Sequence, residues 1–285
     1  MALLIVVVGS LLWVTLYKFV PPPITFTQLG DLVSGRSITR DWMSIDRIDR
    51  NMVRAAIAAE DSKFCSHHGF DEDAIAEAMR RNARGGSVIR GGSTISQQTA
   101  KNAFLWQGGG YFRKGIEAWF TLLIETIWGK KRIMEVYLNV AETGVGTYGV
   151  NAGAQRYFGH DASTMSRVEA SRIAAVLPLP KKRGALAPHG FTRRYGNSIA
   201  ARIGIVARDG LDACIYRGTA APSEAPTPKA PPRKLPRPAP STAPQPEPRA
   251  LPGEEYEQPQ APVEAAPSAP ASEPAPGPEP DQTTT

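Results

Sequence analysis

The sequence predicts a mainly α-helical domain, anchored by one N-terminal transmembrane helix and trailed by a disordered, Pro/Ala-rich C-terminal tail. Three observations carry this. Residues 2–20, ALLIVVVGSLLWVTLYKFV, form an apolar run close to the ~20 residues that span a bilayer. The body repeats apolar residues at the three- and four-residue spacing of a helix. Twenty of the 26 prolines fall in residues 219–285.

The apolar run is interrupted only by Ser10, Thr15, Tyr17 and Lys18, and Pro21-Pro22-Pro23 ends any helix after it. A cleaved signal peptide is the competing reading. Against it, no basic segment precedes the run, no small-x-small cleavage site follows, and the run exceeds the ~7–15 apolar residues of a signal sequence. Orientation reads the other way from the chemistry reached below. Lys18, Arg36 and Arg40 lie at or after the end of the span, which by the positive-inside rule puts the body in the cytoplasm. A gene start upstream, adding basic residues, would reconcile the two.

Helices are expected over 46–60, 73–83, 94–104, 112–128, 130–140, 149–157 and 166–177. Breakers separate them: Gly85-Gly86, Gly91-Gly92, Gly108-Gly109-Gly110, Gly129, Gly144 and Gly146, Pro178 and Pro180. No strand set stands out. The domain is therefore bounded at 21–217, between an anchor at 1–20 and a tail at 218–285. Residues 219–285 have almost no large aliphatic side chains and cannot bury enough surface to offset chain entropy.

From 219 on, five Lys/Arg face nine Asp/Glu, a charge of −4, which leaves 28 against 18, or +10, for residues 1–218. A basic folded part suits anionic lipid or a phosphate-bearing substrate. Nucleic acid would suit it too, but no nucleic-acid motif is present. Cys65 and Cys214 have no metal-ligand spacing, so no zinc or iron–sulfur site is implied. They could pair in an oxidising compartment; two unrelated buried thiols are the expectation.

Polar residues gather in clusters. In AAIAAEDSKFCSHHGFD, residues 55–71, Val53, Ile57 and Glu60 stand at i, i+4, i+7, so Glu60 shares an apolar stripe. A carboxylate there has a raised pKa, the tuning a general base or acid needs. The plain alternative is a helix-terminal Glu paired with an Arg. In GGSTISQQTAKN, residues 91–102, two glycines and a Ser93 or Thr94 cap leave N–H groups free at a helix start, a natural anion site. Thr94, Gln97 or Gln98, and Lys101 then share a face, as a solvated surface would also explain. In RKGIEAWFTLLIE, residues 113–125, Arg113 and Glu117 are at i, i+4 with Glu117 near the core side; a surface ion pair is the bland reading. In KKRIMEVYLN, residues 130–139, Ile133, Val136, Tyr137 and Leu138 pack while Lys131 and Glu135 form a surface pair.

Taken in order, these clusters resemble the successive motifs of the family 51 glycosyltransferases, the peptidoglycan polymerases. E-D-x-x-F-x-x-H-x-G is matched by Glu60, Asp61, Phe64, His67 and Gly69. G-G-S-T-x-x-Q-Q-x-x-K-N is matched by Gly91 to Asn102, R-K-x-x-E by Arg113, Lys114 and Glu117, and I-x-E-x-Y-L-N by Ile133 to Asn139. YGVNAGAQRYFG at 148–159 and VEASRIAAVLPLP at 168–180 resemble the family's C-terminal helices. Coverage runs from about Thr25 to Arg217. No Ser-x-x-Lys or Lys-Thr-Gly element occurs, so the likeness is to the monofunctional branch, without transpeptidase activity. Two departures stand: Gln107-Gly108-Gly109-Gly110 replaces a loop that often carries a basic residue, and Cys65 sits inside the first motif without a role.

The resemblance implies a lysozyme-like, two-lobed fold with a cleft between a globular lobe and a membrane-contacting one, and residues 79–92 as a mobile cover. It implies Glu60 and Glu117 as catalytic residues. Asp61, Ser93, Thr94, Gln97, Gln98, Lys101, Asn102, Arg113 and Lys114 would bind substrate or its diphosphate. The implied substrates are lipid II and a lipid-linked glycan, the implied place the inner membrane with the body periplasmic. Mg²⁺ or Mn²⁺ commonly helps such enzymes, although the sequence shows no dedicated metal cage. Other cell-wall synthesis or division proteins are candidate partners for the tail, whose plain reading is an inert spacer. A glycan-cleaving lysozyme-like enzyme and a non-catalytic wall-spanning scaffold are the alternatives; a cleavage enzyme has no use for the Lys101, Arg113 and Lys114 cations.

Overall fold

A computed structural model describes residues 1–84 and 91–216, and these are mainly helical. The opening run forms α1 (Ala2–Phe19), with a mean hydropathy of 2.0 over 18 residues, long and apolar enough to cross a membrane. Its C-terminal half is not a detached stalk. Ser10, Val14 and Tyr17, at helical spacing, are buried against the domain. The Ser10 hydroxyl accepts from Trp119 Nε1 at 3.1 Å, and the Val14 carbonyl from Trp128 Nε1 at 2.7 Å. Trp13, Tyr17, Phe104 and Phe120 close an aromatic cluster there.

The seven expected helices appear as α3 (Arg50–Glu60), α4 (Glu72–Ala83), α5 (Ile95–Phe104), α6 (Gly110–Ile127), α7 (Lys130–Val140), α8 (Val150–Phe158) and α9 (Arg167–Val176). The first begins at Arg50, not 46, because Asp49 caps it by accepting from the Asn51 N–H at 2.7 Å. Three more were not anticipated: α2 (Phe26–Val33), α10 (Gly190–Arg208) and α11 (Ala213–Tyr216). The first and last are too short to show a period, and Gly196 and Gly204 dilute it in the long α10. Nor was the small sheet, β1 (Thr39–Arg40), β2 (Glu142–Gly144) and β3 (Thr147–Tyr148), in the order β1-β3-β2. Strands of two or three residues carry no alternation to read.

Two helical groups make the core. The first packs α3 against α9 and α10 through Val53, Ile57, Ile173, Ile199 and Ile203, all at most 1% exposed. The second packs α5 against α6 and α7 through Ile95, Phe104, Ile124, Ile133 and Leu138. By contrast α4 buries no residue, and residues 85–90 of the expected cover lie outside those described, as do residue 217 and the expected tail, 218–285.

The expectation of two unrelated thiols is wrong: Cys65 and Cys214 form a disulfide. A segment that sequence reading treats as remote, the turn just before α11, folds back to α3, bringing Arg54 Nε within 2.8 Å of Asp212 Oδ2 in a buried ion pair. The Lys131 and Glu135 pairing is likewise corrected. Lys131 reaches Asp46 at 2.7 Å, and Glu135 pairs with Arg132 and accepts from the Ile45 N–H at 3.0 Å. Glu135 faces inward because the chain before α3 packs across α7, which local spacing does not reveal.

Candidate active site

Glu60 is the last residue of α3, carried there by the stripe of Val53 and Ile57. Its Oε2 accepts from Gln98 Nε2 at 2.9 Å, while Oε1 is buried and has no hydrogen-bond partner among the described residues. Burial pushes its pKa above the ordinary carboxylate value; the Gln98 hydrogen bond and the Arg183 charge oppose this, Asp61 adds to it, and Lys101 opposes it. A half-buried carboxylate with a spare acceptor and a raised pKa can take a proton near neutrality.

Asp61 faces the other way, into the protein. Its carboxylate accepts from the Ile95 N–H at 2.9 Å and from His67 Nε2 at 2.9 Å. His67 Nδ1 accepts from the Gly69 N–H at 3.1 Å, which fixes the tautomer with its proton on Nε2. Gly69 has φ +96, and a Cβ there would stand 2.8 Å from Thr121 Cγ2, so only glycine lets this loop lie on α6. The Thr94 hydroxyl donates to the Gly69 carbonyl at 2.6 Å. The first and second clusters are thereby locked together.

Thr94 and Gln97 form a capping box at the start of α5 and are buried. The helix start is therefore not the open anion site expected of it: Ile95 N–H is held by Asp61, Gln97 N–H by Thr94, and Thr94 N–H by Gln97. Gly92 precedes the cap, and a Cβ there would meet the Ala74 carbonyl oxygen at 3.0 Å, so α4 can come this close only to glycine.

Further along α5, Lys101 meets the cations of α6. Glu117 is buried at 2% exposure, so the Arg113 pair is no surface bridge: Arg113 Nη1 reaches one Glu117 oxygen at 2.6 Å and Lys114 binds the other. Lys114 Nζ also donates to Ser93 Oγ at 2.9 Å. The glycines replacing the basic loop bring Arg113 into place, since its Nε donates back to the Gly108 carbonyl at 2.6 Å. Burial pulls the Lys101 pKa down; Glu117 raises it, and Arg113 and Lys114 lower it further. Three cations around one buried carboxylate make a place suited to an anion. Both Glu117 oxygens are occupied by these cations, and the described residues hold no cluster of three metal-ligating side chains, so the groups present do not fit a resident metal.

Of the expected site residues, then, Glu60, Gln98, Lys101, Asn102, Arg113, Lys114, Glu117 and Ser93 are brought towards one region, whereas Asp61, Thr94 and Gln97 shape it from behind. Gln98, Lys101 and Asn102 line a cavity of about 380 Å³ together with Tyr137 and the turn at 177–182. Some neighbours were missed. The Tyr137 hydroxyl is buried without a hydrogen-bond partner among the described residues, and nearby Glu60 helps push its pKa well up after burial. The Tyr195 hydroxyl donates to the Ala59 carbonyl at 3.0 Å, one residue before Glu60. Tyr137 was visible as a core position and a motif residue but not as a site residue; Arg183 and Tyr195 had no local pattern to mark them.

Comparison with known proteins gives this geometry a family. A model described as "Transglycosylase" matches residues 27–203. The chain is 50% identical over 212 residues, 74% of this chain and 92% of the relative, to a biosynthetic peptidoglycan transglycosylase of Caulobacter vibrioides. It is also 50% identical to one of Pseudomonas aeruginosa, over 65% of this chain and 82% of that protein. A third, from Rhodospirillum centenum, is 48% identical over 70% of this chain and 86% of its own length. With the matched model spanning both helical groups and the whole ordered set of clusters, the chain belongs to the transglycosylase family and is a peptidoglycan glycosyltransferase.

Proposed function

We propose that the protein transfers a growing lipid-linked glycan onto the 4-hydroxyl of lipid II, forming a β-1,4 bond with inversion and releasing undecaprenyl diphosphate. Glu60 takes the proton of the attacking hydroxyl as that oxygen bonds to the donor's anomeric carbon. The bond to the diphosphate breaks, and its growing negative charge meets Lys101, Arg113 and Lys114, held in place by Glu117 and Ser93. One observation carries the reading: a single helix, α5, contacts the base through Gln98 and adds Lys101 to the cation group one turn on. Base and leaving-group stabiliser are thus set on one rigid element.

On this reading the body lies outside the cytoplasmic membrane. The Cys65–Cys214 disulfide favours an oxidising compartment. Beside α1, the outward residues Phe26, Leu29, Leu32, Tyr111 and Phe112 suit contact with the lipid where such substrates reside. The tail from 218 on is a spacer or partner-presenting arm outside the catalytic domain. The test is purified full-length protein with lipid II in detergent, products separated by size. Long glycan from wild type and none from Glu60→Gln is expected; shortening of preformed glycan instead of polymer would replace the assignment with cleavage.

A further inference from the structure

The cavity beside Gln98 and Tyr137 extends to β2, where it meets a carboxylate that the mechanism does not use. Glu142 lines it with a side chain only 10% exposed, and its Oε1 is buried without a hydrogen-bond partner among the described residues. The nearest cation does not satisfy it. Lys181 Nζ stands 3.9 Å from Glu142 Oε2 and leans instead towards Asp31, at 3.5 Å. Asp31 is already served by Arg36 at 2.7 Å and by the Tyr148 hydroxyl at 2.8 Å. The Gly146 N–H also serves the Glu142 carboxylate, which leaves acceptor capacity at Oε1, and burial keeps that carboxyl's pKa raised.

A buried acceptor without a donor is costly, and its place beside a cavity lets a ligand hydroxyl or N–H supply the donor that the fold does not. What the cavity admits follows from its walls. Leu177, Pro178 and Pro180 give apolar faces, Lys101 gives a cationic donor, Gln98 and Asn102 give amides that donate or accept, and Glu142 gives the charged acceptor. An N-acetylated hexosamine matches this set: its ring C–H face and methyl are apolar, its carbonyl accepts, and its hydroxyls and amide N–H donate. Glu142 sits on a strand paired with β3, with the Thr143 carbonyl held by the Tyr157 hydroxyl at 3.0 Å, so its position is fixed.

We propose that Glu142 is a specificity-determining residue, its carboxylate receiving a hydroxyl or N-acetyl N–H of an amino sugar of the substrate in the cavity beside Glu60. This rests on the polymerase reading above. In the lipid II assay, Glu142→Ala is expected to raise apparent KM by about tenfold or more, the scale of one hydrogen bond to a charged group, with kcat within about threefold. Glu142→Gln, which keeps a carbonyl acceptor and the shape, should fall between it and wild type. Melting temperatures of the detergent-solubilised variants should equal or exceed that of wild type, because the unpaired buried carboxylate is removed. Alongside, saturation-transfer NMR with N,N′-diacetylchitobiose should show contact with wild type that weakens in both variants. Wild-type KM in both variants, a loss confined to kcat, or spectra indifferent to the substitutions would overturn the assignment. If wild type does not polymerise lipid II, the polymerase reading fails by itself, and the chitobiose spectra still decide whether Glu142 binds an amino sugar.

Discussion

Replacing Glu60 by glutamine removes one proton-accepting oxygen and leaves nearly everything else. In the folded protein Gln98 Nε2 donates to Glu60 Oε2 at 2.9 Å, a bond the glutamine carbonyl can accept in its place. The remaining position is the buried Oε1, which has no partner to lose. Because burial raises the Glu60 pKa on folding, its ionised form destabilises the fold above the unfolded-state pKa, and that cost disappears in the variant. Melting temperature at neutral pH should therefore hold or rise. Turnover should not. General-base assistance is worth about 10²–10⁴, and a sugar hydroxyl is a poor nucleophile, so polymer formation is expected to fall by at least ~10³, about 4 kcal/mol of barrier. Lys101, Arg113 and Lys114 are untouched by the change. Affinity for a phosphoglycolipid inhibitor such as moenomycin should shift by less than about tenfold, under ~1.4 kcal/mol. The assays are lipid II polymerisation, inhibitor titration and thermal melting on one preparation. Near-normal polymerisation by Glu60→Gln would refute the assignment and move the base to Glu117.

Lys101→Ala and Arg113→Ala should each lower kcat/KM by about 10²–10³, the cost of one preorganised charge in the transition state; wild-type rates in both would remove the leaving-group role. The rate profile should be bell-shaped: activity falls on acidification as Glu60 protonates at its raised pKa, and falls at alkaline pH as Lys101 deprotonates at its lowered one. A flat profile across both limbs contradicts the pairing of base and cation. Breaking the buried Arg54–Asp212 pair by Asp212→Ala should cost ~3–5 kcal/mol in a denaturant melt, since Arg54 would be left buried and uncompensated. Deleting residues 219–285 should leave polymerisation intact, measured on the purified truncation, because every motif precedes the segment.

Local pattern sufficed for what is local. Apolar spacing located the seven helices from α3 to α9, because each buries one face and the period records it. Glu60 was legible because it continued the stripe of Val53 and Ile57, and Lys101, Arg113, Lys114 and Glu117 because their motifs recur in order. Direction and partnership were not. Asp61 adjoins Glu60 in sequence, yet the extended turn at the end of α3 swings its carboxylate onto Ile95 and His67. Glu117 reads as half of a surface bridge until α5 packs against α6 and buries it. The Cys65–Cys214 bond, the Arg54–Asp212 pair and the approach of Glu142 to Lys181 join residues that chain spacing leaves unrelated. A sequence records the face each residue shows along its own helix; which distant residue meets that face is decided by how the helices pack, and that packing exists only in three dimensions.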